Sequence, residues 1–242
     1  MKPVIIKQSR GLGDILFCQK IAHQFIQKGH PVIWPVFDPY YHIKEYLTGP
    51  LFVSEDVDFP FKQHYGACGY GQQMDTEECT VICLDGASSP GLGTMRSKYK
   101  LVDIDYRDWD DFLNIKRNKE REQQLIDRLN LPEKFILVNK YFGTPPMCLS
   151  VNERVAPVTD LPIVQLDLTL GRPFDWMGVF ERAAEIHSVE TAFCYIIQAM
   201  KRTEKVFIYP RWLNADDTRV DFDYCRDYFK REWTFYGEQI HL

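Results

Sequence analysis

The run Val4-Ile5-Ile6-Lys7-Gln8-Ser9-Arg10-Gly11-Leu12-Gly13-Asp14-Ile15-Leu16 decides how this chain is read. Val4-Ile5-Ile6 is a short β-branched stretch, the composition of a strand buried on both faces of a sheet. A turn with two glycines follows. From Asp14 the apolar residues Ile15, Leu16, Cys18, Ile21, Ala22, Phe25 and Ile26 recur at spacings of three and four. That spacing predicts an amphipathic helix, stopped by Lys28-Gly29. Pro31-Val32-Ile33-Trp34-Pro35-Val36 then reads as a second strand. Strand, glycine turn, helix and strand within about 35 residues make a βαβ unit, with a right-handed crossover and parallel strands.

The alternation continues beyond this unit. A short helix is expected over 39–47, irregular chain over 49–78, and a strand at Thr80-Val81-Ile82-Cys83-Leu84. Gly91-Leu92-Gly93 lies among turn residues and reads as a loop. Between 107 and 129 the chain is highly charged, with Trp109, Phe112, Leu113, Leu125, Ile126 and Leu129 at helical spacing, which predicts a broken helix ended by Leu131-Pro132. A second series follows. Strands are expected at Phe135–Val138, Ile163–Leu166 and Val206–Tyr209, and helices at Trp176–Ala184, Ser188–Met200 and Phe222–Arg231. The expected fold is α/β, with two small Rossmann-like halves facing across a cleft. Residues 1–106 form the first half, 107–132 a helical connection, and 133–242 the second half with its C-terminal helix.

Composition narrows the function. With 242 residues, 45% hydrophobic and 14% aromatic, the chain is globular in type, not disordered, collagen-like or coiled-coil. Lys+Arg 29 against Asp+Glu 34 leaves a net charge of -5, and an acidic chain repels a phosphate backbone, so no nucleic-acid partner is expected. The densest basic run, Lys116 to Arg121, is interleaved with acid and reads as a solvated helix face. No stretch approaches the roughly 18 apolar residues of a membrane span, and the opening residues lack the 7–15 or so apolar residues of a signal peptide. A cytoplasmic protein without a transmembrane segment is expected. Seven scattered cysteines fit a reducing compartment. Cys79 and Cys83 are four apart, but no second pair or histidine set completes a zinc site, so no metal is expected.

A glycine turn at a helix N-terminus suits close approach of a ligand and attracts negative charge. As a dinucleotide fingerprint this one is incomplete. Leu16 stands where G-x-G-x-x-G needs its third glycine, and Asp14 places an anion where the pyrophosphate would sit. Asp14 itself has two readings. It is an N-cap, stabilising the helix by about 1 kcal/mol, or a rim carboxylate that takes a proton from a hydroxyl. Asp103-Ile104-Asp105 and Asp221-Phe222-Asp223 match the letters of a D-x-D metal motif; the first follows the apolar pair Leu101-Val102 and leaves a metal-dependent fold open, but the N-terminal glycine turn does not belong to that architecture.

The segment Met1–Pro39, above all Val4 to Leu16, resembles the opening of the heptosyltransferase-like glycosyltransferases, the lipopolysaccharide heptosyltransferase family. The resemblance implies a GT-B fold and an inverting, metal-independent glycosyltransferase without a cofactor. It would move a sugar from a nucleotide-sugar donor to a hydroxyl of a glycan or glycolipid acceptor. Asp14 would be the general base, with Arg10, Gly11 and Gly13 as acceptor or phosphate contacts. In the second half, Ala184 to Phe193 is similar to the family's donor-side segment. Glu190 stands for the family's Asp, Thr191 for its Thr and Ala192 for its Gly, while Tyr195 falls where the family has His. Thr191 and the helix start behind it would hold the diphosphate, with Ser188 and Glu190 as further donor contacts; the plainer alternative is that Ser188 or Thr191 only caps that helix. Lys140 takes the place of a lysine against the diphosphate, and Asp167, at a strand end, is a candidate for the ribose hydroxyls. Two other functions stay open: a non-catalytic nucleotide-sugar binding protein on the same fold, and a Rossmann-type oxidoreductase. The donor sugar is not readable.

Overall fold

A computed structural model describes residues 1–143, 149–202, 205–211, 228–229 and 232–236. The chain divides into two compact units, Met1–Lys116 and Arg117–Leu242. The segment expected as a helical connection, 107–132, is therefore shared. Trp109–Phe112 is a short 3₁₀ turn of the first unit, and the helix proper starts only at Lys119, in the second. Asn118 marks that start, because its side chain accepts the Arg121 backbone N–H at 3.0 Å.

The first unit runs β1 (Val4–Lys7), α1 (Leu12–Phe17), α2 (Gln19–Gln27), β2 (Val32–Val36), β3 (Leu51–Ser54), α3 (Lys62–Ala67), β4 (Gln73–Asp75), β5 (Thr80–Cys83) and α4 (Thr94–Leu101). The sheet order is β3-β2-β1-β5-β4. All neighbours are parallel except β4 on β5. Ile5 pairs with Ile33 and Val81 across the centre and joins one buried face with Cys68 and Cys79. Val4, Ile6, Trp34 and Ile82 are equally buried on the other. Burial on both sides is what a parallel sheet demands, and it is why β1 carries no polar residue before Lys7. Pro35 is tolerated in β2 because it lies beyond the β1 pairing, opposite Val53 of β3.

The first helix starts at Leu12, two residues before the expected point. Gly11 takes the N-cap place at φ 77, and its carbonyl accepts the Ile15 N–H at 3.0 Å. The helix then breaks at Cys18. The N–H groups of Ile21 and Ala22 both turn to the Cys18 carbonyl, and the Phe17 carbonyl takes the Tyr99 hydroxyl of α4 at 2.5 Å instead. The region 49–78, expected to be irregular, holds β3, α3 and β4; all are short, and β3 and β4 are sheet edges. The region 39–47 is largely 3₁₀, over Asp38–Glu45.

The second unit contains α5 (Lys119–Leu129), β6 (Ile136–Asn139), the two-residue strands β7 (Tyr141–Phe142) and β8 (Ser150–Val151), β9 (Ile163–Gln165), α6 (Met177–Arg182), β10 (Glu185–Val189), α7 (Ala192–Ala199), β11 (Val206–Tyr209) and β12 (Thr234–Phe235). Its main sheet has the order β12-β11-β10-β6-β9 and is parallel throughout. The helix expected over Ser188–Met200 is therefore shorter. Its first residues belong to β10, the central strand, paired with β6 on one side and β11 on the other. Apolar residues on both faces of a central strand mimic a helix pattern over a few positions, and here the two ladders decide the outcome. The C-terminal helix expected over 222–231 lies outside the described residues except at Tyr228 and Phe229, as does Asp221-Phe222-Asp223.

Candidate functional site

In the first unit the chemistry gathers at the carboxyl ends of the parallel strands, where open α/β sheets hold ligands. The turn after β1 is tied down from several sides. The Trp34 indole N–H donates to the Gln8 carbonyl at 2.9 Å, the Phe37 N–H to the Ser9 carbonyl at 2.9 Å, and the Gln8 side-chain amide to the Arg10 carbonyl at 2.6 Å. Arg10 is exposed, with its guanidinium 4.7 Å from the centre of the Phe37 ring. Gly11 and Gly13 flank Leu12, as cap and second helical residue.

Asp14 is the third residue of α1 and not its cap. Its carboxylate folds back over Gly11, so that a Cβ at position 11 would sit 3.1 Å from Asp14 Cγ and closer still to Oδ2. The other oxygen, Oδ1, accepts from the ammonium of Lys98 on α4, which also donates to Gln8 Oε1. Lys98 keeps 3% of its side-chain surface and Asp14 31%, so the pair has a buried cationic end and an open anionic one. Burial works against the Lys98 ammonium, but Asp14, Cys18 and Asp85 outweigh it and hold the group above the usual lysine range. Asp85, just past β5, is half-buried. Burial pushes its carboxyl up, Lys98 pulls it down, and Asp14 and Glu55 push it up again. Cys18, buried behind Asp14, is pushed up to about 12, chiefly by its desolvation.

Lys7, at the end of β1, donates to the carbonyls of Tyr65 and Cys68 at 3.0 and 2.9 Å.

In the second unit, Asn139 at the end of β6 is the organising residue. It is buried, and its amide donates to Ser188 Oγ at 3.0 Å and Thr191 Oγ1 at 3.4 Å. Ser188 is a buried residue of β10 and does not cap a helix; its place in the central strand removes that expectation. Thr191 is the N-cap of α7, accepting the Phe193 N–H at 3.4 Å. Glu190 is buried and paired with Arg211, whose Nε lies 2.7 Å from its carboxylate. Lys140 follows Asn139 and pairs with Glu153 at 3.1 Å. Asp167 accepts the Thr169 N–H and hydroxyl at 2.8 and 2.7 Å, a turn-capping arrangement whose backbone hydrogen bond holds its carboxyl below the usual range. Asn139, Ser188, Thr191 and, next in sequence, Lys140 and Glu190 are thus brought to one end of the sheet. Asp167 holds its own turn through Oδ1.

Asp103 and Asp105 lie in the exposed turn after α4, and Asp105 pairs with Arg107 at 3.0 Å. Among the described residues no group of three or more His, Cys, Asp or Glu side chains is placed to hold a metal ion. No helix among them is long and apolar enough to cross a membrane.

No protein-family model matches the chain, and no curated protein matches it. Among solved structures, it is similar to the glycosyl transferase family 9 protein of Veillonella parvula DSM 2008. The two are 10% identical, with a TM-score of 0.52 over 86% of this chain and 80% of that one. The fold is α/β of the GT-B class. A looser likeness, TM-score 0.33 at 12% identity over 87% of this chain and 88% of the other, is to NodZ alpha-1,6-fucosyltransferase crystallised with GDP, and it carries no weight for the fold.

Three residues of this GT-B chain escaped the sequence reading. Lys98 had one available signal, a lysine between Ser97 and Tyr99 on what proves the buried side of α4, but α4 itself was not read. Asp85 had no signal beyond its place just after the strand expected over Thr80–Leu84. Arg211 had no signal at all, because its partner Glu190 is 21 residues away.

Proposed function

We propose that this protein is an inverting glycosyltransferase that moves a sugar from a nucleotide-sugar donor to a hydroxyl of a glycan or glycolipid acceptor, without a metal or other cofactor. The observation that carries the reading is Asp14: a carboxylate fixed at the carboxyl end of the central strand, held through one oxygen and still about a third open. The GT-B fold and the resemblance of Val4 to Leu16 to the heptosyltransferase-like enzymes support it.

In this reading Asp14 takes the proton of the acceptor hydroxyl as its oxygen attacks the anomeric carbon. The bond from that carbon to the donor's diphosphate breaks, with inversion. Positioned base catalysis of this kind contributes typically 10²–10⁴-fold. In the second unit, Thr191 and the first N–H groups of α7 are the proposed diphosphate contacts, held in place by Asn139, with Lys140 as a second positive group. Ser188 supports Thr191 through Asn139, and the Glu190–Arg211 pair braces the same turn. Arg10, Gly11 and Gly13 are proposed contacts for the acceptor or a phosphate. Leu16, fully buried where a dinucleotide turn needs glycine, disfavours an oxidoreductase.

The test is a panel of UDP-, GDP- and ADP-sugars, following nucleoside diphosphate release and the anomeric configuration of the product. Asp14→Asn abolishes transfer and leaves nucleotide affinity within a few-fold. Transfer that survives Asp14→Asn excludes the assigned base, and nucleotide-sugar binding without turnover in the unmodified protein makes it a binding protein instead.

A further inference from the structure

The proposed base does not stand alone, and the residue that accompanies it comes from a distant helix. Lys98 approaches Asp14 from α4, 84 residues further along the chain, and is almost wholly enclosed. A buried ammonium with no counter-charge is costly, so Lys98 must have been placed for the groups around it. Those groups are Asp14 and Cys18 from the α1–α2 segment, Asp85 from the loop after β5, and Gln8 from the turn after β1. Around Asp85 stand Lys98, Asp14, Glu55 from the end of β3 and Lys7 from β1. The Lys98 ammonium thus contacts Asp14 and Gln8, and its charge acts on Asp85 as well.

We infer that Lys98 is a positioning residue for the Asp14 site: it fixes the Asp14 carboxylate by its Oδ1, so that the other oxygen is held ready to accept a proton, while its enclosed charge acts on Asp85 too. Gln8 supports this by accepting from the same ammonium, which leaves the lysine a single orientation. Gly11 supports it from the opposite side, since only a residue without Cβ leaves space for the folded-back carboxylate. The effect on catalysis rests on the reading of Asp14 as the base; the effect on ionisation does not.

That separation shapes the experiment. The side-chain carboxyls of ¹³C-labelled aspartate are titrated by NMR in the full chain, with Asp14→Asn and Asp85→Asn used for assignment. Lys98→Met raises the Asp85 midpoint relative to the unmodified protein, Lys98→Arg largely restores it, and Asp14→Asn lowers it. In transfer assays with whichever nucleotide sugar the panel identifies, Lys98→Met lowers kcat at neutral pH at least tenfold, with donor KM nearly unchanged. An Asp85 midpoint that Lys98→Met leaves in place or lowers, in a folded protein, overturns the inference whatever the activity. If Lys98→Met fails to fold, the decision passes to Asp14→Asn: an unmoved Asp85 midpoint refutes the coupling, and a lowered one upholds it. Shifted midpoints in a protein without any transfer activity would uphold the ion cluster and refute only the enzymatic reading.

Discussion

Gly11→Ala tests how the glycine turn and the Asp14 carboxylate depend on each other. Gly11 has φ 77 and ψ 91, a conformation that an L-residue enters at about 1–2 kcal/mol. The new Cβ also meets the Asp14 carboxyl group, 3.1 Å away at Cγ and closer at Oδ2. To clear it, Asp14 must leave its rotamer, at about 1 kcal/mol, and loosen its contact with Lys98. Weakening a buried ion pair in this way adds about 1–2 kcal/mol, since Gln8 and Asp85 still face the ammonium. Gly11→Ala therefore costs about 3–5 kcal/mol in the native background. In an Asp14→Ala background only the backbone strain remains, about 1–2 kcal/mol, so the coupling between the two positions is about 2 kcal/mol. Native-state hydrogen exchange at the β1 amides reads the opening free energy of the first unit directly. A coupling below about 0.5 kcal/mol would refute the argument that the carboxylate occupies the space above Gly11.

Two further outcomes follow from the second unit. Arg117 bridges α5 and α6, donating to Glu122 at 2.7 Å and to Glu181, and Glu122 keeps only 3% of its side-chain surface. Arg117→Met thus strands a buried carboxylate and costs about 3 kcal/mol in urea unfolding, with Lys119 at 3.5 Å as a partial replacement; adding Glu122→Gln recovers most of the loss. His187 is buried in β10, stacked on Phe207, with Nδ1 2.9 Å from the Tyr209 hydroxyl, and with Glu185 beside it. Burial pulls its imidazole below the usual range despite Glu185. The unfolded chain therefore binds this proton more readily than the folded one, so stability is full above about pH 6.5 and falls as pH drops from there toward the folded value. His187→Phe flattens that part of the stability–pH curve; an unchanged slope assigns it to other groups.

The βαβ opening was legible because short-range forces decide it. The β-branched run Val4-Ile5-Ile6, the glycine at position 11 and the three-and-four spacing beyond it each act over one turn or one strand. The same is true of β2, β5, β6, β9 and β11, all foreseen as strands, while Thr191 was one of two cap candidates, beside Ser188. Where local preference was ambiguous, the reading failed. The stretch 185–189 carries apolar residues on both of its faces and becomes strand because β6 and β11 offer it backbone partners on both sides. The edge strands β3 and β4 have too few residues for a period to show.

Taken alone, the amino-acid order determined the alternation of strand and helix, the parallel character of the sheets and the identity of the acidic residue at the first turn, because these follow from nearest neighbours and hydrophobic period. Tertiary structure decided what each polar group does. It turned Asp14 from a possible cap into the open end of an ion pair with the enclosed Lys98, withdrew Ser188 into a strand, set Asp167 Oδ1 to hold its own turn, and joined Asn139 to Ser188 and Thr191 across 49 and 52 residues. The reason is physical. The charge state and direction of a side chain depend on burial and on partners brought together by packing, and such partners leave no mark at a fixed spacing along the chain.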